Sequence, residues 1–399
     1  MIHSGWRGYT RGLAAGWTRM VPHSGTGGRP VALGEAPGEA TRLGFPTEPE
    51  KDMESLNRRT LLGAAAAAVP LAAAPGLASS AAASPRPSQP ARSGRSPHAQ
   101  VLPNVLETSH ASSEAAALFH AYYTAKSRYD IDAFIDFFNP GQMAYFDSPL
   151  HIGGVFPTHD AFRDQVMGPT LEGWSKTGGK SYPLRVIGDA TSAIVFFRNT
   201  PELFGNEVRI ISSFTLEHGK IVRVVDYWDG RRNDEALKNR PPNTENPRNL
   251  GTEIVQESAG PVIKTFARHL GSALAAGDVD SAAALFSDDA LFEDMTTRTT
   301  IVGRPAIGRY LTRALSRLPY GAGSEVLHVV GSEQGGGYEW VTDDDRVPNG
   351  ITALQLDRVS DYKHPDVRTS KITRLTTVWD ASLLDDSTIR SLAALALEE

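Results

Sequence analysis

Lys220-Ile-Val-Arg-Val-Val-Asp-Tyr-Trp-Asp229 is written a second time as Lys371-Ile-Thr-Arg-Leu-Thr-Thr-Val-Trp-Asp380, with Lys, Ile, Arg, Trp and Asp coinciding 151 positions apart. Upstream, Asp147 in AYFD matches Asp294 in LFED, 147 positions apart, and Ile131-Asp132 matches Val279-Asp280, 148 apart. An ordered run of matches at nearly one spacing reads as a tandem duplication that has diverged. Chance likeness between amphipathic segments would not preserve the order.

Each copy carries the same pattern. Ala115, Leu118, Phe119 and Tyr122 fall at helical spacing and predict a first helix; Ile263, Phe266, Ala267, Leu270 and Leu274 do so in the second copy. A short second helix is expected over 131–138 and 279–286, then a strand over 142–147 and 290–294. A third helix opens at Thr158, a suitable N-cap, or at Arg304-Pro305, where proline suits the first turn. The rest reads as strands: 183–188, 192–199, 206–216 and 219–228, then 325–330, 337–342, 350–358 and 369–380. Helices followed by strands predict an α+β unit, a curved antiparallel sheet wrapped on three helices. The expected domains are 110–240 and 254–381, with a C-terminal helix over 386–399.

The first hundred residues read differently. Residues 1–52 show no periodicity and are broken by Gly and Pro throughout, which predicts a disordered or spurious lead. Met53 then opens a segment with Arg58-Arg59-Thr-Leu-Leu, an Ala-rich run and Ala81-Ala82-Ala83. That arrangement resembles a twin-arginine export signal over 53–83. Pro70 and Pro75 interrupt the run, which fits a transmembrane helix poorly. Met53 is the expected start, and a Ser/Pro-rich tether is expected over 84–109. The mature protein is then exported, secreted or held in the cell envelope, with no stable membrane insertion after processing.

Composition excludes more than it selects. The 399 residues contain no Cys, which removes disulfides, thiolate nucleophiles and Cys-bound metals. Lys+Arg number 40 against 46 Asp+Glu, a net charge of −6, so no nucleic-acid partner is expected. The histidines show no metal-ligand spacing, so no metal is expected. What chemistry there is falls to carboxylates, Tyr, His and Ser. Along 220–229, alternation places Val222, Val224, Asp226 and Trp228 on one face and Ile221, Arg223, Val225 and Tyr227 on the other. A carboxylate among Val, Val and Trp is either a pocket acid or a large desolvation penalty.

This element order resembles the nuclear transport factor 2-like superfamily, in particular its SnoaL-like branch, with the ketosteroid isomerases and limonene-type epoxide hydrolases. The residues that carry the likeness are Phe138 through Asp147, Phe286 through Asp294 with the following IVGRPAI, and the strand GKIVRVVDYWD. The resemblance implies cone-shaped sheets whose open end is a ligand pocket. It also implies a cofactor-free isomerase, lyase or cyclase acting on a small apolar organic molecule.

In the isomerase members, a first-helix Tyr lies eight residues before the Asp that opens helix two, and the catalytic Asp lies sixteen after it. With Asp130 as the opening residue, Tyr122 falls in place and Asp147 comes one residue late, a slip the Asn139-Pro140-Gly141 turn absorbs. The resemblance therefore implies Asp147 as general base and Tyr122 as electrophilic donor, with Asp226 as a second acid–base or orienting group. Ser212 stands where that family's second oxyanion-hole acid would be, so the isomerase pattern is broken and a steroid is not implied. The epoxide-hydrolase reading asks for an Arg-x-Asp on a neighbouring strand, and Arg198-Asn199-Thr200 lacks the acid. Tyr145, Phe197, Ser212, Phe214 and Trp228, with Asp294 and Trp379 of the second copy, are the further candidate substrate-binding residues.

Each candidate has a plainer reading. Asp147 caps the turn at Ser148-Pro149, Tyr122 fills a core, and Asp226 pairs with an arginine. Leu270 and Thr377 replace Tyr122 and Asp226 in the second copy, which marks that copy as degraded for catalysis. The two copies are expected to pack as an intrachain pseudo-dimer. The rival functions are epoxide hydrolysis and a secreted module that binds a small molecule without catalysis. The export machinery is the other expected partner.

Overall fold

The computed structural model describes residues 106–238, 240–242, 247–357 and 370–397. The expected lead, export signal and most of the tether lie outside the described residues.

The first unit begins with β1 (Glu107–Ala111), a strand the sequence reading assigned in part to the tether. Helix α1 (Ser113–Arg128) follows, opened by Ser112, whose side chain accepts the Ala115 N–H, and closed by Tyr129 in the left-handed region. Asp130 caps α2 (Ile131–Ile135) in the same way through the Ala133 N–H. The expected helix over 131–138 ends early because the sheet takes its last residues. The Ile221 N–H donates to Phe137 O at 2.8 Å and the Asn139 N–H to Ile221 O at 2.9 Å. Next come β2 (Met143–Asp147), β3 (Ile152–Phe156), α3 (His159–Phe162) capped by Thr158, a π turn over Arg163–Met167, and α4 (Gly168–Thr177). The unit closes with β4 (Ser181–Gly188), β5 (Ser192–Asn199), α5 (Pro201–Phe204), β6 (Val208–Glu217), β7 (Lys220–Trp228) and α6 (Asp234–Leu237).

The second unit has α7 (Pro261–Ala276), α8 (Val279–Ala284), β8 (Phe286–Asp294), β9 (Thr299–Val302), α9 (Arg304–Ala314), β10 (Glu325–Ser332), β11 (Gly335–Val341), β12 (Asn349–Leu356), β13 (Ile372–Trp379) and α10 (Asp386–Ala394). The sheet orders are β1-β4-β5-β6-β7-β2-β3 and β10-β11-β12-β13-β8-β9. Apart from β1, the two sequences of strands correspond one for one. The sheets are mixed rather than wholly antiparallel: β2 runs parallel to β7, β8 to β13 and β1 to β4. Strands that return after intervening helices and hairpins are free to enter the sheet in that sense.

Three apolar clusters organise the fold. One lies between the helices and the sheet of the first unit, centred on Phe119, Tyr122, Phe138, Phe214 and Trp228. Its counterpart in the second unit is centred on Phe266, Leu270, Phe292, Trp340 and Trp379. The third joins the outer faces of both sheets, with Phe146, Ile187, Ile194, Ile211 and Val225 against Val330, Ile351, Ala353 and Val378. Within it, Arg223 donates two hydrogen bonds to Glu339 at 2.9 and 2.5 Å, with both side chains wholly buried.

The alternation along β7 holds from Arg223 onward and fails before it. Thr215 pairs with Arg223 but Leu216 pairs with Ile221, so Val222 is an extra residue and a bulge resets the faces. Ile221 consequently joins the helix-side core with Val224 and Trp228. The sequence reading had put it on the opposite face.

Candidate active site

Strand pairing brings the two candidate carboxylates together. In the parallel ladder, Asp147 at the end of β2 lies in register with Asp226 on β7. In the antiparallel ladder, Asp226 lies opposite Ser212 on β6. Both acids are buried, Asp147 to 8% exposure and Asp226 to 6%. Trp228, two residues along the same face of β7, donates its indole Nε1–H to Asp147 Oδ1 at 2.9 Å.

Their oxygens are used unequally. Asp147 Oδ1 also accepts the Leu150 N–H at 3.3 Å, so this residue does cap the turn after β2. Its Oδ2 has no hydrogen-bond partner among the described residues. Asp226 Oδ1 accepts the Ser212 hydroxyl, and its Oδ2 is 3.5 Å from the Tyr145 hydroxyl donor. Among the described residues no arginine pairs with Asp226, so that plainer reading does not describe it there.

Burial and mutual repulsion act on this pair in the same direction. Desolvation, then the charge of Asp226, pushes the Asp147 carboxyl up to about 8, against the hydrogen bonds from Trp228 and Leu150 and the charge of Lys126. Burial also raises the Asp226 carboxyl, and Lys126, Ser212 and Tyr145 oppose the rise. Two adjacent carboxyls that titrate apart supply an acid and a base from one site.

The cation of the site escaped the sequence reading. Lys126, in the last turn of α1, is only 6% exposed. Its Nζ lies 4.8 Å from the ring centre of Phe197, 5.3 Å from Trp174 and 5.6 Å from Tyr123. Burial lowers its pKa, opposed by the charges of Asp226 and Asp147. One signal was available: Lys126 is four residues after Tyr122 and so shares its apolar helix face.

Tyr122 is 3% exposed and packed among Phe119, Phe134, Phe138 and Phe214. Burial and the charge of Asp226 raise its pKa far above the usual tyrosine range, so it stays a neutral hydroxyl. Phe214 belongs to that same ring cluster. Tyr123, which the sequence reading passed over, is fully buried, and its hydroxyl has no well-formed hydrogen bond although it lies beside Ser212. Trp174 on α4 and Trp228 both contact the half-buried Phe204 ring of α5, at 6.4 and 6.3 Å, which closes this end of the site with aromatic rings.

Asp147, Asp226, Tyr145, Ser212, Phe197 and Trp228 thus converge, with Tyr122 and Phe214 in the adjoining ring cluster. Asp294 and Trp379 do not join them. They form their own pair in the second unit, where Trp379 Nε1 and the Tyr320 hydroxyl donate to Asp294 Oδ2 at 3.3 and 3.1 Å. The Thr296 and Thr297 N–H groups donate to Asp294 Oδ1 at 2.9 and 3.0 Å. The second unit keeps the Trp–Asp bond but has Thr377 in register with Asp294, so the second carboxylate is missing.

No family model and no curated protein matches the chain. Segments of it are similar to solved structures. A candidate polyketide cyclase from Sinorhizobium meliloti is 23% identical over 28% of this chain and 93% of its own, with a TM-score of 0.23. A candidate ketosteroid isomerase from Kribbella flavida is 15% identical over 29% and 78%, with a TM-score of 0.24. An NTF2-like protein of unknown function from Cytophaga hutchinsonii is 14% identical over 29% and 91%, with a TM-score of 0.23.

Proposed function

We propose that the first unit is a cofactor-free acid–base catalyst of the isomerase, lyase or cyclase type, acting on a small and largely apolar organic molecule. The observation that carries this reading is the pairing of Asp147 with Asp226 across β2 and β7, both buried, with one oxygen of Asp147 left without a hydrogen-bond partner among the described residues. Asp147 serves as the base in its ionised form, the minor form below about pH 8, and Oδ2 is the free atom that takes the proton. Asp226, held by Ser212 and Tyr145, orients the pair and sets its electrostatics. Lys126 and the Tyr122 hydroxyl offer positive charge and a neutral donor to an oxyanion formed on the substrate.

Aromatic walls from Phe197, Phe214, Trp174 and Trp228 favour an apolar substrate. The epoxide-hydrolase reading loses ground, because Arg198 pairs with Glu207 at 3.0 Å on the exposed side of the sheet rather than with Asp226. We assign the paired units to one diverged duplication and the protein to export by the twin-arginine route.

The test uses small molecules that co-purify with the native protein, identified by mass spectrometry and returned to it. Wild type should convert the ligand, and Asp147→Asn should lower turnover about 10²- to 10⁴-fold, the usual contribution of a general base. The fold should be retained, because the Asn oxygen still accepts from Trp228. Full activity in Asp147→Asn removes the assignment, and a ligand recovered unchanged from wild type supports the binding-module rival.

A further inference from the structure

A cavity of about 760 Å³ lies between the two units, away from Asp147 and Asp226, neither of which lines it. One wall is built by β4, β5 and β6, the other by β8, β9 and β13, and the turn after β7 closes one side. That volume falls within the range of small-molecule sites. Leu184, 37% exposed, shares the wall with Phe196 and Met295, so part of the surface is apolar.

The polar part holds six arginines, Arg185, Arg209, Arg231, Arg232, Arg298 and Arg374, beside five carboxylates. Four of them are neutralised locally: Arg185 by Glu107 at 3.2 Å, Arg209 by Glu207 at 2.9 Å, Arg231 by Asp229 at 2.8 Å and Arg374 by Glu293 at 2.6 Å. Asp294 also lines the cavity, but its oxygens are occupied by Thr296, Thr297, Tyr320 and Trp379. Arg232 and Arg298 are left with no ion-pair partner among the described residues. In a chain of net charge −6, two unneutralised cations on one cavity are a local property.

Their backbones point the same way. Arg232 has φ 63° and Arg298 φ 58°, a left-handed conformation that glycine or asparagine adopts more easily than arginine. Each sits in a turn, Arg232 after β7 and Arg298 between β8 and β9. Arg231 Nη2 donates to Thr296 O and ties those two turns together across the units. Planar guanidinium forks match a carboxylate, and the Phe196 ring, already stacked at 4.6 Å by Arg185, matches a flat apolar body.

We propose that this inter-unit groove binds an organic carboxylate with a flat apolar body, its charge held by Arg232 and Arg298. Titration calorimetry on the full chain with 2-naphthoate and its neutral counterpart 2-naphthamide tests it. Naphthoate should bind once per chain at least ten-fold more tightly than the amide, and added NaCl should weaken it. Arg232→Gln/Arg298→Gln, a change confined to exposed side chains, should weaken naphthoate at least ten-fold. Asp147→Asn should leave it unchanged, which separates this site from the catalytic reading. Equal affinity for the two compounds, no naphthoate binding, unchanged binding in the double variant, or loss of binding in Asp147→Asn each overturns the proposal.

Discussion

Asp147 is the residue where stability and the proposed chemistry pull against each other. The folded chain holds its proton up to about pH 8, whereas an unfolded Asp releases it near 3.8. Between those values the native state binds more protons than the unfolded one, so this residue makes stability fall as pH rises from about 4 to about 8. The contribution is fully present below the unfolded value and lost above the folded one. In Asp147→Asn the carboxyl is gone, the Trp228 acceptor remains, and that part of the slope should vanish. Melting temperatures across pH 4 to 9 should therefore converge at low pH and favour the variant at high pH. Parallel curves for the two proteins would show that Asp147 ionises normally.

At the scale of elements, the interface between the sheets holds a buried ion pair where apolar contact would be expected. Removing one partner of such a pair typically costs about 3–5 kcal/mol, whereas replacing both with apolar residues is often neutral. Arg223→Met alone should lower unfolding free energy by about that amount, and Arg223→Met/Glu339→Leu should recover most of it, as urea melts would show. Much at this scale was legible beforehand. The long strands followed from their apolar runs, Thr158 caps its helix as expected and Asp130 opens the second helix; the Ser112 cap was not foreseen. What was hidden depended on pairing: β1 and β3 are short, and the end of α2 was surrendered to Ile221. The bulge at Val222 likewise answers to Leu216 on the neighbouring strand rather than to its own sequence. The site was legible to a similar depth. Asp226 stood out as a carboxylate on an apolar face, but its adjacency to Asp147 depends on a parallel register that no local pattern encodes. Lys126 was missed because a lysine in the last turn of a helix ordinarily suits the macrodipole and points to solvent.

At the largest scale, the described residues form a pair of similar sheets, packed outer face to outer face, whose helix-side interiors differ. One interior holds two carboxylates, a lysine and several hydroxyls; the other holds Asp294, satisfied by four donors and facing Thr377 in register. The second interior thus keeps its carboxylate fully hydrogen-bonded, whereas the first leaves Asp147 Oδ2 without a hydrogen-bond partner among the described residues. Neither Asp147 nor Asp226 lines the cavity between the units, so binding there and the proposed acid–base work in the first unit are separable in one chain. The proposed chemistry needs Asp147 and Asp226 to act as a coupled pair, and their coupling is measurable without a substrate. A ¹³C NMR pH titration of aspartate carboxyl carbons, with Asp147→Asn, Asp226→Asn and Asp294→Asn as assignment variants, reads each group in place. Asp147 should titrate near pH 8 and shift downward in Asp226→Asn, while Asp294 stays where it was. An Asp147 midpoint near 4 that does not move in Asp226→Asn would contradict the account.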